Sequence, residues 1–265
     1  WSGGISNGVS FTPTVTTTYT VTGTDANGCT GTDQVTVTVN AIPSAPTVDP
    51  SNTTQYCLGA TASSMSAVSI SGYTLKWYDN ADNLLATGST GPVPSTVASG
   101  STTYKVTQTN GTTLCESSAL LVTVTVNPLP SISVVGGASQ TVCDGSSITL
   151  NGDGGVSYSW SGVDVSGNAI SNGASFVPPG STTTTYTVTG TDGNGCSSSS
   201  TVDVVSTASP IVNAGSDVEI CAGETVTLSG SGAGTGGSYS WSGGISNGVS
   251  FTPTVTTTYT VTGTD

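Results

Sequence analysis

"TTTYTVTGTDANGCTGTDQVTVTVN", residues Thr16 to Asn40, is the stretch whose reading decides the fold. On either side of its Asp-Ala-Asn-Gly centre, Val and Tyr alternate with hydroxyl residues, the period-2 pattern of strands with one buried face. Val and Thr are both β-branched and suit a pleated strand better than a helix. The Asn27-Gly28 step reads as a type I′ hairpin turn, which requires positive φ at both central residues. Further along, "LVTVTVN" at Leu121 to Asn127 repeats the second strand of this hairpin. No i, i+3, i+4, i+7 apolar stripe runs for three turns. The chain therefore reads as all-β, with Gly, Asn and Asp clusters for its turns.

The same stretch exposes an internal repeat. Residues 1 to 25 recur unchanged as residues 241 to 265, a period of 240 residues, so the sequence reads as one period of a longer tandem array plus the start of the next. Within the period a shorter, diverged unit appears. "YSWSG" occurs at Tyr158 to Gly162 and Tyr239 to Gly243, and "TYTVTGTDGNGC" at Thr185 to Cys196 matches "TYTVTGTDANGC" at Thr18 to Cys29. A looser version runs from "LKWYD" at Leu75 to "TTYKVTQTNGTTLC", which ends at Cys115. Proline-bearing stretches at Asn40 to Pro50, Asn127 to Ile132 and Thr207 to Val212 separate the units, because Pro stiffens connectors and is excluded from central strands. The expected domains are a cut C-terminal part at 1–40, whole β-sandwich modules at 41–127 and 128–207, and a cut N-terminal part at 208–265. Modules of about 80 residues with roughly seven short strands suggest immunoglobulin-like or PKD-like sandwiches arranged end to end.

Composition narrows the function. The chain has no His, two Lys+Arg residues against 15 Asp+Glu, and a net charge of -13. Without imidazole there is no Ser-His or Cys-His nucleophile pair and no His-ligated metal. Lys76 and Lys105 cannot neutralise a run of phosphates, so nucleic acid is excluded as a partner, and anionic lipid is repelled. No apolar run is long enough to insert into a membrane. Scattered carboxylates such as Asp144, Asp153 and Asp164 form no catalytic constellation. The reading is of a non-enzyme with no catalytic residues, no metal ligands and no cofactor. A Lys-Asn isopeptide is conceivable only in the module holding Lys76 and Lys105.

Each unit carries Cys, Trp, Tyr and Cys in that order: Cys57, Trp77, Tyr104, Cys115, then Cys143, Trp160, Tyr186, Cys196. The third set is divided between the two ends as Cys221, Trp241, Tyr259 and Trp1, Tyr19, Cys29. Trp77, Trp160, Trp241, Tyr104, Tyr186 and Tyr259 are read as core residues, the tyrosines resembling the tyrosine corner of sandwich folds. A sugar-stacking role for the tryptophans needs exposure. The acidic turns around Asp25, Asp79 and Asp192 read as hairpin tips, since calcium coordination needs six or more ligands.

One cysteine of each class per module suggests disulfides within modules, Cys57 with Cys115 and Cys143 with Cys196. Cys29 and Cys221 then find their partners in adjacent repeat copies. Such a staple contributes about 4 kcal/mol by loop-closure estimates and implies an oxidising, extracellular setting. An alternative stays open, because bridged Cα atoms must come within about 7 Å. If the first cysteine sits at the far pole of its module, Cys57 meets Cys196 of the following module, and Cys143 meets Cys29 of the next copy.

Together "TTTYTVTGTDANGC", the upstream "C.G..VTL" and "YSWSG" resemble the Ig-like and PKD-like repeats of giant Bacteroidota surface adhesins, including gliding-motility adhesins of flavobacteria. The resemblance implies export by type IX secretion and attachment at the outer surface. It implies a stalk that extends a binding tip and bears tension, with adjacent repeat copies as partners and surface glycans met through regions outside this segment. The alternative is a spacer array in a secreted polysaccharide-active enzyme.

Overall fold

A computed structural model describes residues 1–265, and the chain divides into two compact units, Trp1–Leu129 and Pro130–Asp265. In the first unit, Thr17–Thr24 and Thr30–Val37 form an antiparallel hairpin in register from Thr17↔Val37 to Thr24↔Thr30. The remainder holds a five-stranded sheet in the order Gln55–Cys57, Leu120–Asn127, Gly100–Asn110, Tyr73–Tyr78, Leu84–Thr87. A short pair, Thr47–Val48 with Ala67–Val68, belongs to the opposite layer. Alternation carries the core: along Leu120–Asn127, Val122, Val124 and Val126 are buried while Thr123 and Thr125 face water. Val122 and Val124 join Met65, Leu75, Trp77, Tyr104 and Val106 in one cluster. Each fully buried valine contributes about 1.5–3 kcal/mol through apolar burial.

The second unit repeats this plan. A four-stranded sheet runs Ser139–Cys143, Ser197–Thr207, Thr183–Thr191, Ser157–Ser161. Short pairs at Ser133–Val134 with Gly152–Asp153 and Ile148–Thr149 with Ser175–Phe176 supply the other layer. Val134, Leu150 and Ile170 close over Tyr186, Val188, Val202 and Val204. Beyond this sandwich lie the two-stranded pairs Val226–Thr227 with Ser250–Phe251 and Ser238–Trp241 with Val261–Thr264.

In both complete sandwiches the early strand runs parallel to the last one. Gln55–Cys57 lies beside Thr125 to Asn127, and Ser139–Cys143 beside Asp203 to Thr207. All other strand pairs are antiparallel. Backbone bonds extend the parallel pairs at their ends, from Leu58 N–H to the Asn127 carbonyl at 2.8 Å and from Asp144 N–H to the Thr207 carbonyl at 2.8 Å.

The two identical 25-residue segments fold differently. Thr17–Thr24 forms a full strand against Thr30–Val37, whereas its counterpart at 257–264 is strand only over Val261–Thr264 and pairs with Ser238–Trp241. Trp1 is 41% exposed and Trp241 only 6%, so strand neighbours, rather than local sequence, set burial here. Both copies keep a single 3₁₀ turn, at Ser2–Gly4 and Ser242–Gly244.

Candidate functional site

The cysteines are the side chains whose chemistry most constrains the chain, and register places them. Cys57 is the partner of Asn127 and Cys143 that of Thr207, so each first cysteine lies where its module's last strand ends. Each then opens a turn closed by a bond to its own carbonyl, from Ala60 N–H at 3.0 Å and Ser146 N–H at 3.0 Å. Cys221 opens the same turn, its carbonyl accepting from Glu224 N–H at 3.1 Å. In all three the third residue is a glycine with positive φ, Gly59, Gly145 and Gly223, which a side chain would strain.

The last cysteines sit at the other pole. Cys29 and Cys196 close hairpin loops in which an aspartate folds back on the chain. Asp25 Oδ1 accepts from Asn27 N–H at 2.9 Å and Cys29 N–H at 2.8 Å; Asp192 Oδ1 accepts from Asn194 N–H at 2.8 Å and Cys196 N–H at 2.9 Å. Asn110 plays this part before Cys115, accepting from Thr112 and Thr113 and bonding the Cys115 carbonyl through its own N–H. This pole is also where each chain segment enters its module. Ser198 Oγ donates to the Pro130 carbonyl, and Gln108, fully buried, donates through Nε2 to the Ser44 carbonyl at 2.7 Å while its backbone N–H bonds Ser117 Oγ.

The within-module disulfides are therefore not formed. Cys57 and Cys196 are each disulfide-bonded, whereas Cys29, Cys115, Cys143 and Cys221 carry free thiols. Strand length is the reason. At about 3.3 Å per residue, the stretch from Leu120 to Asn127 alone separates Cys115 from Cys57 by about 23 Å, and Ser197 to Thr207 separates Cys196 from Cys143 by about 33 Å. Either gap is several times what a disulfide spans.

The hairpin loops also depart from the type I′ expectation. Only Gly28 and Gly195 have positive φ there, and Asn27 and Asn194 do not. Asp25 and Asp192 accept the turn N–H groups, so a right-handed turn ends in a left-handed glycine. The loops opened by Asp79 and Asp164 bond alike, with Asp82 and Gly167 as their left-handed residues: Asp79 accepts from Ala81 and Asn83, Asp164 from Ser166 and Asn168. Bonds from Asn83 and Asn168 hold these two carboxyls below the usual carboxylate range. The loop carboxylates are thus engaged with the chain's own donors.

Among the aromatic positions, Trp77 and Tyr186 are fully buried, and Tyr104 and Trp241 nearly so. Trp160 and Tyr259 are half-buried, a correction to their reading as core residues. Trp160 lies at the margin of its cluster, and Tyr259 precedes the strand Val261–Thr264, which has a neighbour on one side only. Tyr186 donates its hydroxyl to the Val163 carbonyl at 3.1 Å, and burial raises its pKa. A role that sequence reading missed belongs to Asn172 and Asn247. Each Oδ1 accepts from a tryptophan indole, Trp160 at 3.1 Å and Trp241 at 2.9 Å, and from a facing glycine N–H, Gly152 or Gly230, at 2.7 Å. The signal was present in the recurring "ISNG" that follows each "WSG".

Both lysines face carboxylates. Lys76 Nζ lies 3.1 Å from Glu116, which also accepts from Tyr78 and Thr107. The Thr107 hydroxyl and Lys76 hold the Glu116 carboxyl below its ordinary range. Lys105 Nζ lies 2.7 Å from Asp82 and donates to the Asn80 backbone carbonyl. Neither lysine is joined to an asparagine side chain. In the second unit Asp144 accepts from Ser181 and Ser206, which lower its pKa. No group of three or more His, Cys, Asp or Glu is gathered as a metal site would require. No helix is long and apolar enough to cross a membrane.

Two-layered β-sandwiches in tandem, with the early strand parallel to the last, define a chain of immunoglobulin-like domains. The family model described as "Ig-like domain CHU_C associated" matches residues 43–128 and 130–210, and the chain belongs to that family. No curated protein matches it. Among solved structures, it resembles the three N-terminal domains of the bacteriophage RB49 Highly Immunogenic Outer Capsid protein at 16% identity, over 76% of this chain and 77% of that one, with a TM-score of 0.38. Sidekick-1 immunoglobulin domains 1–4 match at 16% identity, over 83% and 69%, with a TM-score of 0.25. SGBP-B of the Bacteroides ovatus mixed-linkage glucan utilization locus matches at 14% identity, over 62% and 48%, with a TM-score of 0.23.

Proposed function

We propose that this chain is a length of the non-catalytic repeat stalk of a bacterial surface adhesin, similar to the gliding-motility adhesin SprB of flavobacteria. In this role it is exported by type IX secretion and held at the outer membrane. It extends a binding tip and carries tension between tip and cell, with adjacent repeat copies as its partners and surface glycans bound by regions beyond this segment. Tandem Ig-like domains of a family that occurs in Bacteroidota surface proteins support a repeat or spacer role.

The observation that carries the tension-bearing reading is the parallel pairing of each module's early and last strands. When the module is pulled from its two ends, these strands are drawn in opposite directions along their axes. Their cross-strand hydrogen bonds then load together in shear instead of opening one at a time.

The test is to label intact cells with an antibody raised against residues 43–128 and to delete one 240-residue period from the gene. Surface labelling, with attachment to glass weakened under flow and surface binding retained, is the expected result. Antigen found free in the medium on the same chain as a polysaccharide hydrolase overturns this reading in favour of an enzyme spacer.

A further inference from the structure

We propose that the cysteines form a staggered ladder, in which the first cysteine of each module bonds the last cysteine of the module that follows. In repeat terms the rungs are Cys57 with Cys196, Cys143 with the Cys29 of the next copy, and Cys221 with the Cys115 of the next copy. The bonding states fit this rule at all six positions. Only the first rung has both members among residues 1–265, and those two are the disulfide-bonded cysteines; the other four, whose rungs reach beyond these residues, are free thiols.

Chain continuity supplies the geometry. Cys57 lies level with Asn127, where its module's last strand ends. Pro130 then bonds Ser198, two residues from Cys196. Along the chain, only Pro128 and Leu129 stand between Asn127 and Pro130. The next rung is laid out alike. Cys143 lies level with Thr207, after which the linker reaches Val212, packed against Gly263 on the strand that leads into the Asp25-type loop. Equivalence completes the set: Cys57, Cys143 and Cys221 open the same Cys-X-Gly turn, and Cys29, Cys115 and Cys196 close capped hairpin loops.

Each rung forms as two thiols lose two protons and two electrons. These pass by thiol–disulfide exchange to a disulfide oxidant, which leaves as two thiols. The proposal needs an oxidising compartment but not any particular ligand, so it stands or falls apart from the adhesin reading.

The test is a two-period chain, residues 1–265 continued by residues 26–265, oxidised with glutathione disulfide, denatured without reduction, and titrated for thiols. The ladder leaves four free thiols in both the one-period and the two-period chain, because each added period adds three bridges and six cysteines. Pairing within modules leaves two in each. Unreduced peptide maps are expected to join Cys143 to Cys29 and Cys221 to Cys115 across copies; Cys57 joined to Cys115, or Cys143 to Cys196, overturns the ladder. A second measurement uses the chain as it stands. Mild oxidation is expected to link molecules head to tail through the same Cys143–Cys29 and Cys221–Cys115 peptides. Links between Cys221 and Cys29 in their place count against it.

Discussion

Gly91 lies flat against the indole of Trp77: a Cβ built on the glycine would stand 2.7 Å from Trp77 Cε2. Trp77 is fully buried and donates its indole N–H to the Gly88 carbonyl at 3.2 Å, so the ring has no room to retreat. Gly91→Ala is expected to destabilise the 43–128 module by about 1–3 kcal/mol, the usual cost of overpacking a core. Urea unfolding followed by tryptophan fluorescence measures it; an unchanged midpoint would mean that the ring and strand move apart freely.

The parallel strand pairs differ in length, with three register partners for Gln55–Cys57 and five for Ser139–Cys143. Pulled end to end with the disulfide reduced, the 130–207 module is expected to unfold at higher force than the 43–128 module. Pulled through its Thr191 and Ser197 hairpin, so that strands unzip, the same module is expected to yield at a fraction of that force. Single-molecule force spectroscopy that finds no dependence on attachment points removes the shear mechanism.

Glu116 gives the first sandwich an acid sensitivity. Its folded pKa is depressed, first by Thr107 and then by Lys76 and Tyr78. The stabilisation it contributes is therefore present above the unfolded carboxylate value of about 4.3 and is lost as pH falls through the folded value. Glu116→Gln is expected to cost about 0.5–1 kcal/mol at neutral pH, the site being partly solvent-screened. Thermal melts of the two proteins should converge once pH has fallen through the depressed folded value. A difference that persists there assigns the loss to packing instead.

Continuing the chain past Asp265 with residues 26–40 supplies the Tyr259 segment with the partner that Tyr19 already has in Thr30–Val37. Tyr19 is 8% exposed in that setting. The lengthened chain is expected to melt several degrees higher in its last cooperative step and to associate less. Equal melting curves would show that residues 208–265 recruit some other strand.

The period-2 pattern made the strands legible, because Val-Thr alternation admits one register against a core. Valines 122, 124 and 126 face inward as that pattern requires. The modular Cys-Trp-Tyr-Cys order was legible too, but cysteine connectivity was not. Spacing along the chain says that Cys57 and Cys115 share a module; only register with Asn127 says that they occupy opposite poles. Tyr259 and Tyr19 make the complementary point. The same 25 residues surround both, yet their burial differs, since it depends on which strands lie alongside. The asparagines that hold the Trp160 and Trp241 indoles recur in "ISNG", but the bond each accepts is fixed by the fold and not by the motif alone.

Along the exposed faces, hydroxyls bond across the strands: Thr18 to Thr36 at 2.8 Å, Ser101 to Thr125 at 3.1 Å, Thr103 to Thr123 at 3.0 Å, Thr189 to Ser199 and Thr191 to Ser197 at 2.8 Å, and Thr227 to Ser250 at 2.7 Å. None of these contacts carries charge, and the side-chain ion pairs number two. Dissolved salt weakens ion pairs within a few ångströms of screening length but leaves a hydroxyl pair unchanged. It also quiets the mutual repulsion of a chain with net charge -13. A surface so built keeps its strands paired as readily in seawater as in fresh water or damp soil.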